Sequence, residues 1–260
     1  MLSQDESKHR RLVAQAFSGA KAYGQLYEGA TPVAHFFNQR LERVLEFLGP
    51  IESGKALDVG CGPGILLTRL GGRQLQLFGL DSSPEMIAEA KARNAGHNVS
   101  LTVGRLEQLP FRPASFDVII VLGVLEYLPD LRASLKEIAR LAKPNAVVIA
   151  SMLNRLSLCH LWDRFIWRPW KSLRHLLRGR RTEPTLWLHG QRSLLMMMKG
   201  CQLETVDAVY FNLNVCVPPF DSKYPKRALA LNRWVEAHGG RWFRRMLHTG
   251  FIVKARKTGD

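Results

Sequence analysis

The stretch LDVGCGPG, residues 57–64, decides the fold. The apolar run ALDV ends in a turn that carries glycine at alternate positions, Gly60, Gly62 and Gly64. A short apolar run bounded by glycine reads as a buried strand. Glycines so spaced let the main chain turn tightly and come close to a ligand, with no Cβ in the way. GILLTRL then opens a helix, whose unpaired amides and positive dipole end point back at the turn. The next strand, LQLFGL, closes on Asp81, 21 residues after Gly60. An acid at the neighbouring strand tip is placed to accept both hydroxyls of a ribose.

Outward from this turn the chain alternates. SPEMIAEAKARN reads as a helix, VSLTV as a third strand and SFDVIIVLGV as a buried fourth. LRASLKEIARLA is an amphipathic helix, and NAVVIASML is a fifth strand. Near-continuous apolar strands alternating with helices predict a mostly parallel sheet covered on both faces, the α/β, Rossmann-like class. Upstream, residues 8–28 and 32–48 read as helices, the second capped by Thr31 and ended by Gly49-Pro50. The expected organisation is a single domain. Residues 1–50 form a helical cap, 51–152 the ligand-binding core, 153–190 a basic insertion, and 191–260 the closing helices and strands. In the last part QRSLLMMMKG reads as a helix, QLETVDAVYF and GFIVKAR as strands, and about 223–238 as a basic helix.

The 260 residues carry a net charge of +15, and nearly all of it lies late in the chain. Residues 151–260 hold 20 basic and 7 acidic side chains, whereas 1–150 hold 17 and 15. A field placed this way points to a local anionic partner, a membrane surface or an acidic substrate. No apolar run is long enough to span a bilayer, and MLSQDESKHR does not read as a secretory signal. Four scattered cysteines, without a CxxC pair, give no zinc pattern and fit a reducing compartment. The expected location is cytoplasmic.

A nicotinamide dinucleotide fold also uses a glycine turn and a later acid, but at the spacing GxGxxG. Here it is GxGxG, preceded by Asp58. A glycine turn without a ligand is the plainer alternative. LDVGCGPG, GLDSSPEMIAEAKAR, GRLEQLPFRPASFDVIIVLGVLEYLPD and LKEIARLAKPNAVVIAS together resemble the class I S-adenosylmethionine-dependent methyltransferases, in the group that includes ubiquinone and menaquinone biosynthesis enzymes. The resemblance covers roughly residues 55–152. It implies S-adenosyl-L-methionine as cofactor. The glycine turn (Gly60, Gly62, Gly64) would hold its methionine part, with Asp58 beneath, and Asp81 would hold the ribose. Ser82 and Met86 would lie against the adenine, Leu106 would cover its other face, and main chain at Leu122 and Gly123 would meet the amino-acid end. One position departs. Relatives carry an acid after the glycine of GRLE to accept from the adenine amine, and this chain has Arg105, which has no acceptor to offer. Glu107 or a backbone carbonyl could substitute, adenine binding could be weaker, or Arg105 could turn to solvent.

Methyl transfer from a sulfonium asks the protein to align a nucleophile, exclude water and, for a hydroxyl, accept a proton. Glu126 and Tyr127 follow strand four and are placed for that work, although relatives often carry His at the Tyr127 position. His160 and His189 lie in the segment that forms the substrate cap in relatives, where an imidazole can take a phenol proton. Tyr23 and Tyr27 precede the fold and can line the site. Each of these has a plain structural reading as well, and the sequence does not single out one base.

HLWDRFIWRPWKSLRHLLRGRR, residues 160–181, interleaves tryptophans with arginines. Pro169 would break it into two helical pieces, near 156–167 and 169–178. Trp162, Phe165, Ile166, Trp170, Leu173, Leu176 and Leu177 form an apolar stripe, off which Asp163, Arg164, Arg168, Lys171, Arg174 and Arg178 lie. Such a stripe suits an anionic membrane interface, or it packs as a cap on the pocket. Nucleic acid is the weaker reading. The base-amine motif Asn/Asp-Pro-Pro-aromatic is missing after strand four, and VPPF at 217–220 stands in the wrong element. The expected activity is methyl transfer to oxygen or carbon of a small apolar or lipid-like acceptor, such as a quinone precursor, a lipid or a phenol. The alternatives are an RNA methyltransferase and a catalytically silent cofactor-binding, membrane-associated protein.

Overall fold

The computed structural model describes residues 4–51, 53–167, 169–170, 184–217, 219–238 and 245–259. Helices α1 (Gln4–Ala16), α2 (Ala20–Gln25) and α3 (Pro32–Leu48) precede the sheet. The expected single helix over 8–28 is interrupted, because Gly19 takes φ +93° and turns the chain between α1 and α2. Helix α3 begins as expected: the Thr31 hydroxyl accepts from the Ala34 N–H, and Pro32 sits in the first turn.

The elements that follow are β1 (Ser53–Val59), α4 (Ile65–Leu70), β2 (Gln74–Asp81), α5 (Pro84–Arg93), β3 (Val99–Val103), β4 (Phe116–Val121), α6 (Leu131–Leu141) and β5 (Ala142–Leu153). After these come α7 (Leu158–Trp162), α8 (Gln191–Lys199), β6 (Leu203–Leu213), α9 (Phe220–Lys223), α10 (Pro225–His238) and β7 (His248–Lys257). A π-helical turn, Asp163–Trp167, extends α7. The first expected piece of the basic insertion is thus α7 with its π turn, and the second lies almost wholly outside the described residues.

The seven strands form one sheet in the order β3-β2-β1-β4-β5-β7-β6. Strands β3, β2, β1, β4 and β5 run parallel, and β7 is antiparallel to both β5 and β6. The two faces bury alternate residues, as a strand's two-residue period demands. Leu57, Val59, Ile119 and Val121 join Leu135 and Ile138 of α6 and Met198 of α8. Ala56, Val118 and Ile120 join Val44 and Leu48 of α3 and Leu67 of α4 on the opposite face. The strand order reverses between β1 and β4, which leaves a crevice at their carboxyl ends, the usual ligand position in such sheets.

Candidate active site

The turn after β1 is built from main-chain bonds into β2. The amides of Gly60 and Cys61 both donate to the Leu80 carbonyl, at 2.7 and 3.0 Å. Gly60, Gly62 and Gly64 all have positive φ, at 75°, 51° and 76°. A Cβ on Gly60 would stand 2.2 Å from Val124 Cγ2, and one on Gly64 would meet Asn94 Nδ2 at 2.5 Å. At Gly62 a Cβ would meet nothing nearer than Tyr23 Cε1 at 3.7 Å, so this glycine marks the turn's open side. Asp81 ties the turn down: its carboxylate accepts from Gly62 N at 2.9 Å through one oxygen and from Ser83 N at 2.9 Å through the other. Burial raises the Asp81 pKa, opposed by those amides.

Above this turn lies a cavity of about 870 Å³. Gly60, Gly62, Asp81, Ser82, Met86, Leu106, Leu122, Gly123 and Tyr127 all line it, and so does Tyr23. Asp58 and Gly64 do not: Asp58 is buried beneath the turn, and Gly64 caps α4. Glu126 is buried behind the cavity wall, while His160 and His189 stand away from it. His160 Nδ1 lies 2.9 Å from the Asn154 carbonyl. Burial, with the nearby Arg155 charge, lowers the His189 pKa. Tyr27 borders a small neighbouring pocket with Asp58 and Arg40.

Arg105 points outward, its side chain 47% exposed and 3.9 Å from Glu107. Glu107 also pairs with Arg10 of α1 at 3.2 Å. Arg105 and Glu107 both border the cavity, Arg105 at its solvent-exposed rim, and Glu107 latches the helical cap.

Two residues that the sequence reading passed over hold central places. Arg40 of α3 is buried behind the glycine turn, its guanidinium carbon 5.0 Å from the Phe37 ring centre. Burial works against its charge, but the neighbouring Tyr27, Tyr23 and Glu126 more than offset it. A Cβ on Gly123, at φ +67°, would strike Arg40 Nη1 at 2.5 Å. The legible signal was a cation on the apolar face of α3, at 36, 40 and 44. Around Arg40, burial drives the Asp58 carboxyl up to about 7, helped by Asp81 and opposed by Arg40. Burial also drives Glu126 up to about 7, opposed by its own backbone amide and by Arg40. The same burial raises Tyr23 to about 12.

The second is His9 of α1, which lines the cavity and is 9% exposed. Its Nε2 lies 2.9 Å from the Tyr127 carbonyl oxygen. A carbonyl only accepts, so Nε2 carries the hydrogen in that bond. Nδ1 is buried with no hydrogen-bond partner. The Trp187 ring stands edge-on to the imidazole at 4.5 Å, and the Trp187 main-chain N–H donates to the Glu126 carbonyl at 2.8 Å. The consecutive carbonyls of Glu126 and Tyr127 therefore hold a strap, residues 184–190, and the N-terminal cap against each other. Nothing in MLSQDESKHR marks His9, because only the fold carries α1 over the sheet.

Residues 57–150 match the family model described as a methyltransferase domain. The chain is 33% identical over 127 residues to a ubiquinone biosynthesis O-methyltransferase of Sodalis glossinidius, covering 48% of this chain and 51% of that one. It is 31% identical over 177 residues to a malonyl-[acyl-carrier protein] O-methyltransferase of Serratia marcescens, covering 68% and 65%. It thus spans between about half and two thirds of these relatives' lengths. The magnesium protoporphyrin IX methyltransferase of Synechocystis, solved with bound SAH, shares the fold at a TM-score of 0.64, with 16% identity over 96% of this chain and 100% of that one.

Proposed function

We propose that this chain, in which residues 57–150 match a methyltransferase domain, is an S-adenosylmethionine-dependent enzyme that transfers a methyl group to a hydroxyl of a small apolar acceptor, a phenol or quinone precursor. The curated relatives named for ubiquinone biosynthesis and for malonyl-carrier O-methylation support an oxygen acceptor. S-adenosylmethionine is the cofactor of this class, and the residues present fit it. The open side of the turn at Gly62 admits close approach, and Asp81 keeps lone pairs for a diol beyond its two amide bonds. Leu106 and Met86 supply apolar walls at one end, and the main chain of Leu122 and Gly123 supplies polar groups at the other.

Bound there, the cofactor supplies an electrophilic methyl group that carries its own leaving group. The chain's residues do the rest. Leu12, Val13, Phe17, Tyr23 and Trp187 close the cavity with apolar and aromatic surface and keep water from the acceptor. The His9–Tyr127 bond engages Nε2 and leaves Nδ1 as the nitrogen to take a hydroxyl proton as oxygen is alkylated. The observation that carries this reading is the presence, in one cavity, of the glycine turn with Asp81 and a cap-borne imidazole.

Calorimetry with S-adenosylhomocysteine, followed by transfer from methyl-labelled S-adenosylmethionine to an alkyl-substituted catechol, tests it. Binding together with O-methylated product is expected. Binding accompanied by transfer to RNA and not to phenols would replace the acceptor class, and absence of binding would sink the reading.

A further inference from the structure

Helix α10 is amphipathic the wrong way round. It turns Ala228, Leu229 and Asn232 inward, whereas Leu231 and Trp234 are 42% and 61% exposed. Tyr224, just before it, is 46% exposed. With Arg227 and His238 these residues recur at i, i+3, i+4 and i+7, so they share one outward face. Lys226 and Arg233 flank that face, both exposed. A helix whose large apolar side chains face water, with cations at their border, fits a surface that is apolar inside and anionic outside.

The π turn after α7 repeats the pattern. Phe165 is 67% exposed and Ile166 50%, beside the exposed Arg164. Among the described residues, nine of the fifteen large hydrophobic side chains that are exposed lie in 156–170 and 220–234. The two segments are neighbours. Asn214 donates to Cys159 Sγ of α7 at 3.8 Å and accepts from Asn232 of α10 at 3.2 Å.

The topology decides where this surface stands. The last residues of β5 and β6, Leu153 and Leu213, pair with Gly250 and His248 at the start of β7. Both segments therefore leave the sheet at one edge. Val59 of β1 pairs with Val121 of β4, which pairs in turn beside Ala150 of β5. The glycine turn and the cavity stand at that same edge.

We propose that this edge docks on an anionic lipid bilayer, with the outward face of α10 and the π turn of 163–167 lying together in the headgroup layer. Trp234, Leu231, Phe165 and Ile166 enter the acyl boundary, and Lys226, Arg227, Arg233 and Arg164 meet lipid phosphates. The excess charge complements such a surface, since residues 151–260 hold 20 basic and 7 acidic side chains. No described helix is long and apolar enough to cross a membrane, so the contact is peripheral. Docking in this orientation brings the cavity edge to the lipid, where an apolar acceptor dissolves. The docking itself does not depend on methyl transfer.

Vesicle sedimentation of the full chain tests the proposal, with phosphatidylcholine vesicles carrying about a third phosphatidylglycerol and with phosphatidylcholine alone. The protein should pellet with the anionic vesicles at low salt, stay in solution with the neutral ones, and be released as salt shortens the Debye length. Leu231→Ser with Trp234→Ser should lower partition at least tenfold, and Phe165→Ser with Ile166→Ser should do the same. Should the serine variants unfold, the triple reversal Lys226→Glu, Arg227→Glu and Arg233→Glu changes only exposed side chains, and it should lower partition at least tenfold with an unchanged melting temperature. Hydrogen exchange over 220–238 should slow when anionic vesicles are added. Equal partition of wild type and the charge-reversal variant overturns the proposal. So does RNA binding, or a dimer by light scattering, in a protein that ignores the anionic vesicles. Loss of vesicle binding with S-adenosylhomocysteine affinity intact separates this result from any failure of the methyltransferase reading.

Discussion

His9 Nε2 stands 2.9 Å from the main-chain oxygen of Tyr127, 118 residues later in the chain. This single bond joins the N-terminal cap to the turn after β4, and it fixes which imidazole nitrogen is left to work. His9→Gln can still donate to the carbonyl but cannot take up a proton. S-adenosylhomocysteine affinity should stay within about threefold, while kcat falls by about 10²–10⁴, the usual contribution of a general base. Wild-type turnover in the variant would remove His9 from the proton path.

The turn at residues 60–62 admits side chains unequally. Gly60→Ala places a methyl 2.2 Å from Val124 and holds alanine at φ +75°, so the fold itself should suffer, with a melting temperature several degrees lower. Gly62→Arg has room at its Cβ, and its φ of +51° costs a non-glycine residue only about 1–2 kcal/mol, so the variant should fold, but its side chain fills the open side of the turn. Calorimetry should find S-adenosylhomocysteine binding lost in the soluble Gly62→Arg protein, and normal affinity there would contradict the assigned cradle.

Asp81→Ala removes the acceptor for Gly62 N and Ser83 N together with the group that would meet the ribose. Hydrogen bonds to a charged group are worth about 1.5–3 kcal/mol each. Affinity for S-adenosylhomocysteine should fall by at least about 100-fold, measured by calorimetry at neutral pH.

Arg105 stands at the exposed rim of the cavity beside Glu107, and an exposed pair of this kind contributes about 0–1 kcal/mol. Arg105→Ala should therefore bind S-adenosylhomocysteine within about twofold of wild type. A large loss would mean that the guanidinium itself is used by the ligand.

The carboxyls of Glu126 and Asp58 each sit near pKa 7 through burial, above their unfolded values of 4.5 and 3.8. The folded state therefore binds more protons than the unfolded one between those values and about 7. The resulting stability is full below about pH 4, is lost as pH rises, and is gone above about pH 7. Glu126→Gln cannot ionise, so its melting temperature should gain on wild type between pH 5.5 and pH 8.5. Parallel curves from differential scanning fluorimetry would show that Glu126 does not titrate in this window.

The sequence by itself determined the sheet and one half of the cavity. LDVGCGPG, the acid at Asp81 and the apolar strands are local signals, because glycine spacing, strand period and the βα rhythm act over a few residues. For the same reason the split of residues 8–28 at Gly19 was missed: one glycine in a helical pattern does not announce a positive φ. The tertiary structure decided the other half. His9, Arg40 and Trp187 meet the strand tips only because α1, α3 and the strap fold back across the sheet, and contacts over such separations leave no periodic trace. The outward face of α10 was hidden for a related reason. Composition shows that a helix carries both tryptophan and arginine, but which side it buries depends on the α3 and β6 surface it packs against, which here accepts Ala228, Leu229 and Asn232 and leaves Trp234 outside.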